Sequence, residues 1–287
     1  MAKIIGLTTK AIIMMKNDSV VINGRQLSTL ALGTWLMSEQ EAYQSTLAAI
    51  RCGYRHVDTA QAYENEAGVG KAVRECGLAR EDIYVTSKVA AEIKNYAEAA
   101  RSIDLSLERM QLDYIDLMLI HCPLPWDEYH AHKAYRYEKE NREVWRALED
   151  ALAQGKVHAI GISNFSEGDI DNIIQAAKVQ PMVNQIHCNA LHTPNALIRY
   201  CQERNIVLEA YSPIAHGSAI QNQVLQQMAN QYNVSVAQWC IRYCQQLGMI
   251  ALPKSTSPEH IRANMQLDFQ IKEEDIQRIS QAADCPV

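Results

Sequence analysis

A (β/α)8 barrel, the eight-stranded TIM-type α/β fold, is what this sequence predicts, and three observations predict it. Eight short apolar or β-branched runs recur along the chain, and amphipathic helical stretches stand between them. The alternation runs from about residue 28 to 266, a span usual for that fold. The rival α/β architecture, an open doubly wound sheet, requires a G-x-G-x-x-G turn after an early strand, and none is present. Its nearest approach is GVGK at 68–71. A phosphate-binding loop would need glycine at position 65, which is Asn65, so the two glycines read as helix-packing positions.

Taken in order, the leading MAKIIGLTTKAIIMMK has apolar stretches broken by Lys3 and Lys10 and no A-x-A-like cleavage site. Residues 1–14 therefore read as a leader or appended residues ahead of a native start at Met15, with a secretory signal as the alternative. Residues 15–287 read as one barrel domain. Its first element is a hairpin that closes the barrel bottom: Val20, Val21 and Ile22 lead into Asn23-Gly24, and Arg25-Gln26-Leu27 returns. Asn-Gly supplies the two positive φ angles of a type I′ turn. The eight predicted strands are LALGT (30–34), HVD (56–58), IYVTSKV (83–89), IDLMLIH (115–121), VHAIGIS (157–163), MVNQI (182–186), IVLEAY (206–211) and MIALPK (249–254). Between them lie helix-like segments such as EAYQSTLAAIRCG, YAEAARSIDLSLERM and TPNALIRYCQERN, several ending at Gly or Asn, as helix C-termini tend to.

Composition excludes other classes. With 48% hydrophobic residues and only 12 Gly and 8 Pro in 287, the chain is neither collagen-like nor disordered. A net charge of -6 gives no electrostatic basis for nucleic acid or an anionic membrane as partner. No apolar run approaches the roughly 18 residues of a bilayer span. The eight cysteines are scattered without a C-x-x-C pair, which argues against a zinc ribbon or disulfide scaffold and for a reducing cytoplasm.

In such a barrel, chemistry belongs at the C-terminal ends of strands. Asp58 ends the second strand, Tyr63 follows in its loop, Lys88 ends the third and His121 the fourth. Singly, these could be a helix cap, a core ring, a snorkelling lysine and a satisfied buried histidine. Together they suggest proton donation. An ammonium beside a phenol favours the phenolate and lowers its pKa from about 10. Asp58 would hold Lys88 charged, and His121 could donate to the same substrate oxygen.

The segments GYRHVDTAQAYENEAGVGKAV, TSKV, LIHCP, GKVHAIGISNFS, VNQIHCNAL, EAYSPIAHG and IALPKSTSPEHIRAN resemble, in order, the signature segments of the aldo-keto reductases, over about residues 18 to 282. The resemblance implies reduction of an aldehyde or ketone by hydride from NADPH, with NADH possible, and without a metal. It places the family's catalytic tetrad on Asp58, Tyr63, Lys88 and His121, with Tyr63 as general acid. It also places nicotinamide contacts on Ser163, Asn164, Gln185 and Tyr211, and pyrophosphate contacts on Ser212 and the short 215–218 loop. Lys254 and Ser255 match 2′-phosphate ligands and Asn264 an adenine contact. Two positions depart from the pattern: His260 stands where arginine is usual, and Ala263 where glutamate is common. Histidine carries charge only near or below pH ~6.5, so preference for NADPH over NADH should be weaker; Arg262 also offers a guanidinium, but at a position offset along the helix.

Trp35 and Trp126 read as walls of the substrate pocket, and Cys122 stands where many relatives carry an aromatic ring. Ala90 and Ala91 replace a bulkier side chain. A wide pocket favours small or polyhydroxylated carbonyl compounds, in the style of small bacterial members acting on keto-sugars and methylglyoxal-like aldehydes. His130 and His132 form an H-x-H pair, but in a polar, Tyr-rich stretch that reads as a solvated loop. The chain is expected to be a monomer or weak homo-oligomer. The competing reading is a cofactor-binding redox sensor on the same fold, with little turnover.

Overall fold

The computed structural model describes residues 19–285; the expectation for residues 1–14 lies outside them. Strands β1 (Ser19–Ile22) and β2 (Arg25–Ser28) form the antiparallel hairpin. Its turn residues Asn23 and Gly24 take φ of 45° and 80°, the left-handed pair that a type I′ turn needs. The hairpin is anchored from its tip: Asn23 Nδ2 donates to the His158 carbonyl at 2.7 Å, and Arg25 pairs with Asp116 and donates to the Glu81 carbonyl. Ile22 and Leu27 bury their side chains with Tyr84, Leu117, Leu119, Val183 and Ile250, so the hairpin plugs the lower end of the barrel.

Eight parallel strands follow: β3 (Leu32–Gly33), β4 (His56–Asp58), β5 (Tyr84–Val89), β6 (Ile115–Ile120), β7 (Val157–Ser163), β8 (Val183–His187), β9 (Val207–Tyr211) and β10 (Met249–Leu252). Each pairs with its sequence neighbour. The ends meet through the Leu30 to Ala251 and Gly33 to Lys254 bridges, with Ala31 N–H donating to the Ala251 carbonyl at 2.9 Å, so the sheet closes as a (β/α)8 barrel. All eight strands lie where the sequence predicts them, within two residues at each end.

The surrounding helices are α1 (Glu39–Cys52), α2 (Glu66–Glu75), α3 (Tyr96–Met110), α4 (Trp126–His130), α5 (Glu138–Ala153), α6 (Glu167–Ile174), α7 (Asn195–Glu203), α8 (Ser218–Gln221), α9 (Gln223–Gln231), α10 (Val236–Gln246), α11 (Pro258–Ala263) and α12 (Glu273–Ala282). Side-chain alternation at a period of two splits the strands between two environments. Met118, Ile120, Ile160 and Ile162 face the helices, whereas Leu117, Leu119 and Ala159 face the barrel axis. The same period puts His56 and Asp58 of β4 on one face, and likewise Tyr84, Thr86 and Lys88 of β5, Val183 and Gln185 of β8, and Val207, Glu209 and Tyr211 of β9. The barrel interior therefore grades from apolar at the hairpin end to polar and ionisable at the strand C-termini.

The GVGK glycines are helix contacts. A Cβ on Gly68 would lie 2.1 Å from the Glu39 carbonyl oxygen of α1, and one on Gly70 would lie 2.2 Å from that of Met110 in α3. Backbone meets backbone at both points, so no rotamer change relieves the clash. Gly70→Ala should lower Tm by about 2–5 °C, the order expected for overpacking by 1–3 kcal/mol in a chain of this size. Gly168→Ala, where an added Cβ meets nothing within 4 Å, should leave Tm unchanged or higher in the same thermal-unfolding experiment.

Candidate active site

The strand ends converge on Lys88, whose side chain is fully buried. Its Nζ donates to Asp58 Oδ1 at 2.8 Å, to Asp58 Oδ2 at 2.7 Å and to the Thr59 carbonyl at 2.9 Å, and stands 3.4 Å from Tyr63 Oη. Burial acts to lower the pKa of the ammonium. Attraction to Asp58 and Tyr63 outweighs it, and the net direction of the Lys88 pKa is upward. Tyr63 sits in a single 3-10 turn, Gln61–Tyr63, and is half-buried. Gln61 pins that turn: its Oε1 accepts from the Ala90 N–H at 2.9 Å, and its Nε2 donates to Ser106 Oγ at 3.0 Å.

One expectation is corrected here. Lys88 does pull the Tyr63 phenol toward phenolate, but burial acts more strongly and the net shift is upward. The ammonium acts in the direction its position beside the phenol implies, and desolvation by the surrounding residues outweighs it. His121 completes the group, its ring 5.5 Å from the Tyr63 ring, edge to face. Burial, with Lys88 adding to it, holds its pKa well below the usual histidine range, so the imidazole is neutral at pH 7.

The next three strands carry a second chain of bonds. Gln185 Nε2 donates to Asp58 Oδ1 at 2.7 Å and to Glu209 Oε2 at 2.8 Å. Ser163 Oγ donates to the Gln185 carbonyl at 2.9 Å, Asn164 Nδ2 to the His121 carbonyl at 2.9 Å, and Tyr211 Oη to Asn164 Oδ1 at 2.7 Å. All four residues expected at a nicotinamide thus surround the tetrad. The Tyr211 ring stacks on His187, which stacks on His192 in turn.

After β9, Ser212, Ala215 and His216 take φ of 53°, 48° and 53°, three non-glycine residues in the left-handed region within five positions. Such strain clusters at functional loops. His216 accepts or donates a 3.3 Å contact with Ser212 Oγ and meets the Trp35 ring edge at 5.3 Å, bringing the loops after β9 and β3 together. Lys254 and His260 are exposed and Ser255 half-buried at the C-terminal end of β10 and on α11, while Asn264 is buried. Trp126 is half-buried with its ring 5.0 Å from His121. Cys122 is fully buried, and its carbonyl accepts from Lys94 Nζ at 2.9 Å. Of the H-x-H pair, His130 stacks on Trp126 at 5.7 Å and His132 is exposed.

The aldo/keto reductase family model matches residues 28–284. The chain belongs to that family. It is 39% identical over 267 residues to a glyoxal reductase of Bacillus subtilis, covering 92% of each chain. It is 33% identical to methylglyoxal reductase DkgA of Yersinia pestis, covering 92% of this chain and 91% of that one. Among solved structures, an aldo-keto reductase from a Medee basin deep-sea metagenome superposes with a TM-score of 0.85 at 32% identity, covering 94% and 96% of the two chains. A Bombyx mori aldo-keto reductase in complex with NADP superposes with a TM-score of 0.82 at 32% identity, covering 92% of both.

Two residues at the heart of this aldo-keto reductase site escaped the sequence reading. Asn65, considered only as a missing glycine, is fully buried and donates to the Thr34 and Met37 carbonyls, both at 2.9 Å, while accepting from Thr59 Oγ1 at 2.7 Å. It ties the loops after β3 and β4 together. Glu209 was passed over inside IVLEAY; a lone glutamate in an apolar strand, in phase with the inward Tyr211, was its signal.

The buried histidines link this architecture to pH. His56 is pushed down to about 3 and His187 to about 4, both chiefly by burial, and His121 is also lowered. Unfolding releases them to pKa near 6.5, so their contribution is present above pH 6.5 and lost as pH falls toward the folded values. Glu209, raised to about 8 chiefly by burial, works in the opposite direction, but one group opposes three. Denaturant unfolding should show lower stability at pH 5.0 than at pH 6.5; equal or greater stability at pH 5.0 contradicts the neutral, buried assignment.

Proposed function

We propose that this chain is an NADPH-dependent reductase of small carbonyl compounds, with Tyr63 as general acid. The observation that carries the reading is Lys88 Nζ, bonded to both Asp58 carboxylate oxygens while standing 3.4 Å from Tyr63 Oη. A bound reduced nicotinamide supplies the hydride. Tyr63, kept protonated by burial, presents its O–H to the carbonyl oxygen as negative charge builds there. Lys88 stabilises the phenolate that remains after proton transfer, and Asp58 keeps Lys88 charged and pointed at it. His121 contributes a neutral N–H donor beside the same oxygen without adding a positive charge.

The chain's own groups fit a nicotinamide dinucleotide. Gln185 commits its Nε2 to Asp58 and Glu209, so the remaining capacity of that amide is its carbonyl oxygen, an acceptor for a carboxamide NH2. Ser163 and Asn164 would hold the rest of the carboxamide, the Tyr211 ring would stack on the nicotinamide, and Ser212 would meet the pyrophosphate. Lys254, Ser255 and His260 would receive a 2′-phosphate and Asn264 the adenine. Trp35 and Trp126 would flank the substrate, with the buried Cys122 next in the chain after His121. The relatives named glyoxal reductase and methylglyoxal reductase support small dicarbonyl substrates; keto-sugars follow from the sequence resemblance alone. Eight unpaired cysteines fit a reducing, cytoplasmic setting.

Tyr63→Phe should lower kcat ~10²-fold or more while dinucleotide affinity stays within a few-fold of wild type. Steady-state NADPH oxidation over a panel of glyoxal, methylglyoxal and keto-sugars measures this. A variant keeping more than about a tenth of wild-type kcat removes the acid role. A single burst without turnover by the wild type identifies a binding module instead. If His260 reaches the phosphate, the preference for NADPH over NADH, read as a ratio of Kd values, should be greater at pH 6 than at pH 8. A pH-independent ratio removes His260 from the site.

A further inference from the structure

Glu209 is fully buried on β9 and has no place in the proton-donor scheme above. Gln185 Nε2 donates to it and to Asp58, so a single amide group separates the two carboxyls. Its other oxygen, Oε1, has no hydrogen-bond partner, and His56 Nε2 lies 3.9 Å away. A carboxylate buried in this way with one hydrogen bond bears the full cost of a desolvated charge, which the neutral acid avoids even though its O–H also finds no acceptor among the described residues. The charged groups facing it are Asp58 on β4 and Lys88 on β5; the titratable ones are His56 on β4 and Tyr84 on β5. Gln185 on β8 and Ile250 on β10, its neighbours in register, are uncharged.

The charge count of this layer then turns on one proton. Asp58 and Lys88 cancel, His56 is neutral and Tyr84 is kept protonated by burial. With Glu209 protonated the layer is neutral, and with Glu209 ionised it carries one negative charge beneath the groups that surround the nicotinamide site. The two redox forms of nicotinamide differ by one unit of charge, the oxidised ring being cationic and the reduced ring neutral. We propose that Glu209 is a positioning residue whose protonation state sets the relative affinity of the site for oxidised and reduced nicotinamide dinucleotide, acting through Gln185. The proposal rests on the dinucleotide-binding reading of the same site. Burial and then the negative charge of Asp58 push the carboxyl up to about 8, against the opposing pull of Gln185 and Lys88, so its ionisation falls within the range where the protein can be studied.

Glu209→Gln is the isosteric, permanently neutral comparison. Dissociation constants for NADP+ and NADPH are measured by fluorescence titration at pH 6.5 and pH 9.5. In the wild type the ratio Kd(NADPH)/Kd(NADP+) should rise about tenfold, the order expected of unit charges ~10 Å apart at an effective dielectric near 20. In the variant it should stay within about twofold. A flat ratio in the wild type, or an equal rise in the variant, overturns the proposal, and the wild-type measurement alone decides if the variant does not fold. Thermal unfolding separates this from failure of the dinucleotide reading. Because the folded carboxyl titrates above its unfolded value of 4.5, its stabilisation is lost as pH rises toward 8. The wild type should lose Tm over that interval relative to the variant. Parallel curves overturn the buried titration, whereas the expected divergence without binding of either dinucleotide overturns the dinucleotide reading and this proposal with it.

Discussion

A lysine ammonium with no access to solvent is the constraint on which the rest of this molecule depends. Lys88 remains charged in the barrel only because Asp58 offers both carboxylate oxygens and Thr59 a carbonyl, all within 2.9 Å. Removing either partner of such a buried pair leaves an uncompensated charge, at a cost of about 3–5 kcal/mol. Stability and chemistry therefore meet in one interaction. The pair closes β4 to β5 across the barrel interior, and it is the same pair that conditions the Tyr63 hydroxyl.

From this pair the polar layer extends in two directions. Toward the strand C-termini it reaches Tyr63, His121, Asn164 and Tyr211, where side chains face the barrel mouth. Toward the hairpin it reaches Gln185, Glu209 and His56, and Leu117, Val183 and Ile250 belong to the apolar cluster packed on the hairpin. The gradation follows from strand periodicity: inward positions step from Tyr84 through Thr86 to Lys88 on β5, from Val183 to Gln185 on β8 and from Val207 to Glu209 on β9. The hairpin and Arg25 seal the lower end, so the polar layer opens in one direction.

Most of this was legible in the sequence for identifiable reasons. Barrel strands are short apolar runs whose last residues face the mouth, which made Asp58, Lys88 and His121 stand out, and Asn23-Gly24 specified its turn through backbone geometry. Tyr63 stood out through its place in the loop after Asp58, whereas the dinucleotide contacts depended on ordered resemblance to a family, because nothing in their local pattern distinguishes them from loop and sheet residues. The helices α9 and α10 that follow the β9 loop were not resolved from the pattern. The direction of the Tyr63 shift was not legible either: a pair of residues implies an attraction, whereas desolvation is a property of everything packed around them. Glu209 and Asn65 were hidden for the related reason that their partners are distant in sequence, 24 and 31 residues away for the Gln185 and Thr34 contacts.

The central claim is that these strand ends form a site for reducing a carbonyl group. Its most direct test is isotopic: NADPH carrying deuterium at one or the other prochiral position of nicotinamide C4 is reacted with methylglyoxal, and the alcohol product is examined by mass spectrometry. A fixed nicotinamide face predicts deuterium at the former carbonyl carbon from one labelled cofactor and none from the other. Product lacking deuterium from both, or labelled equally by both, contradicts the account.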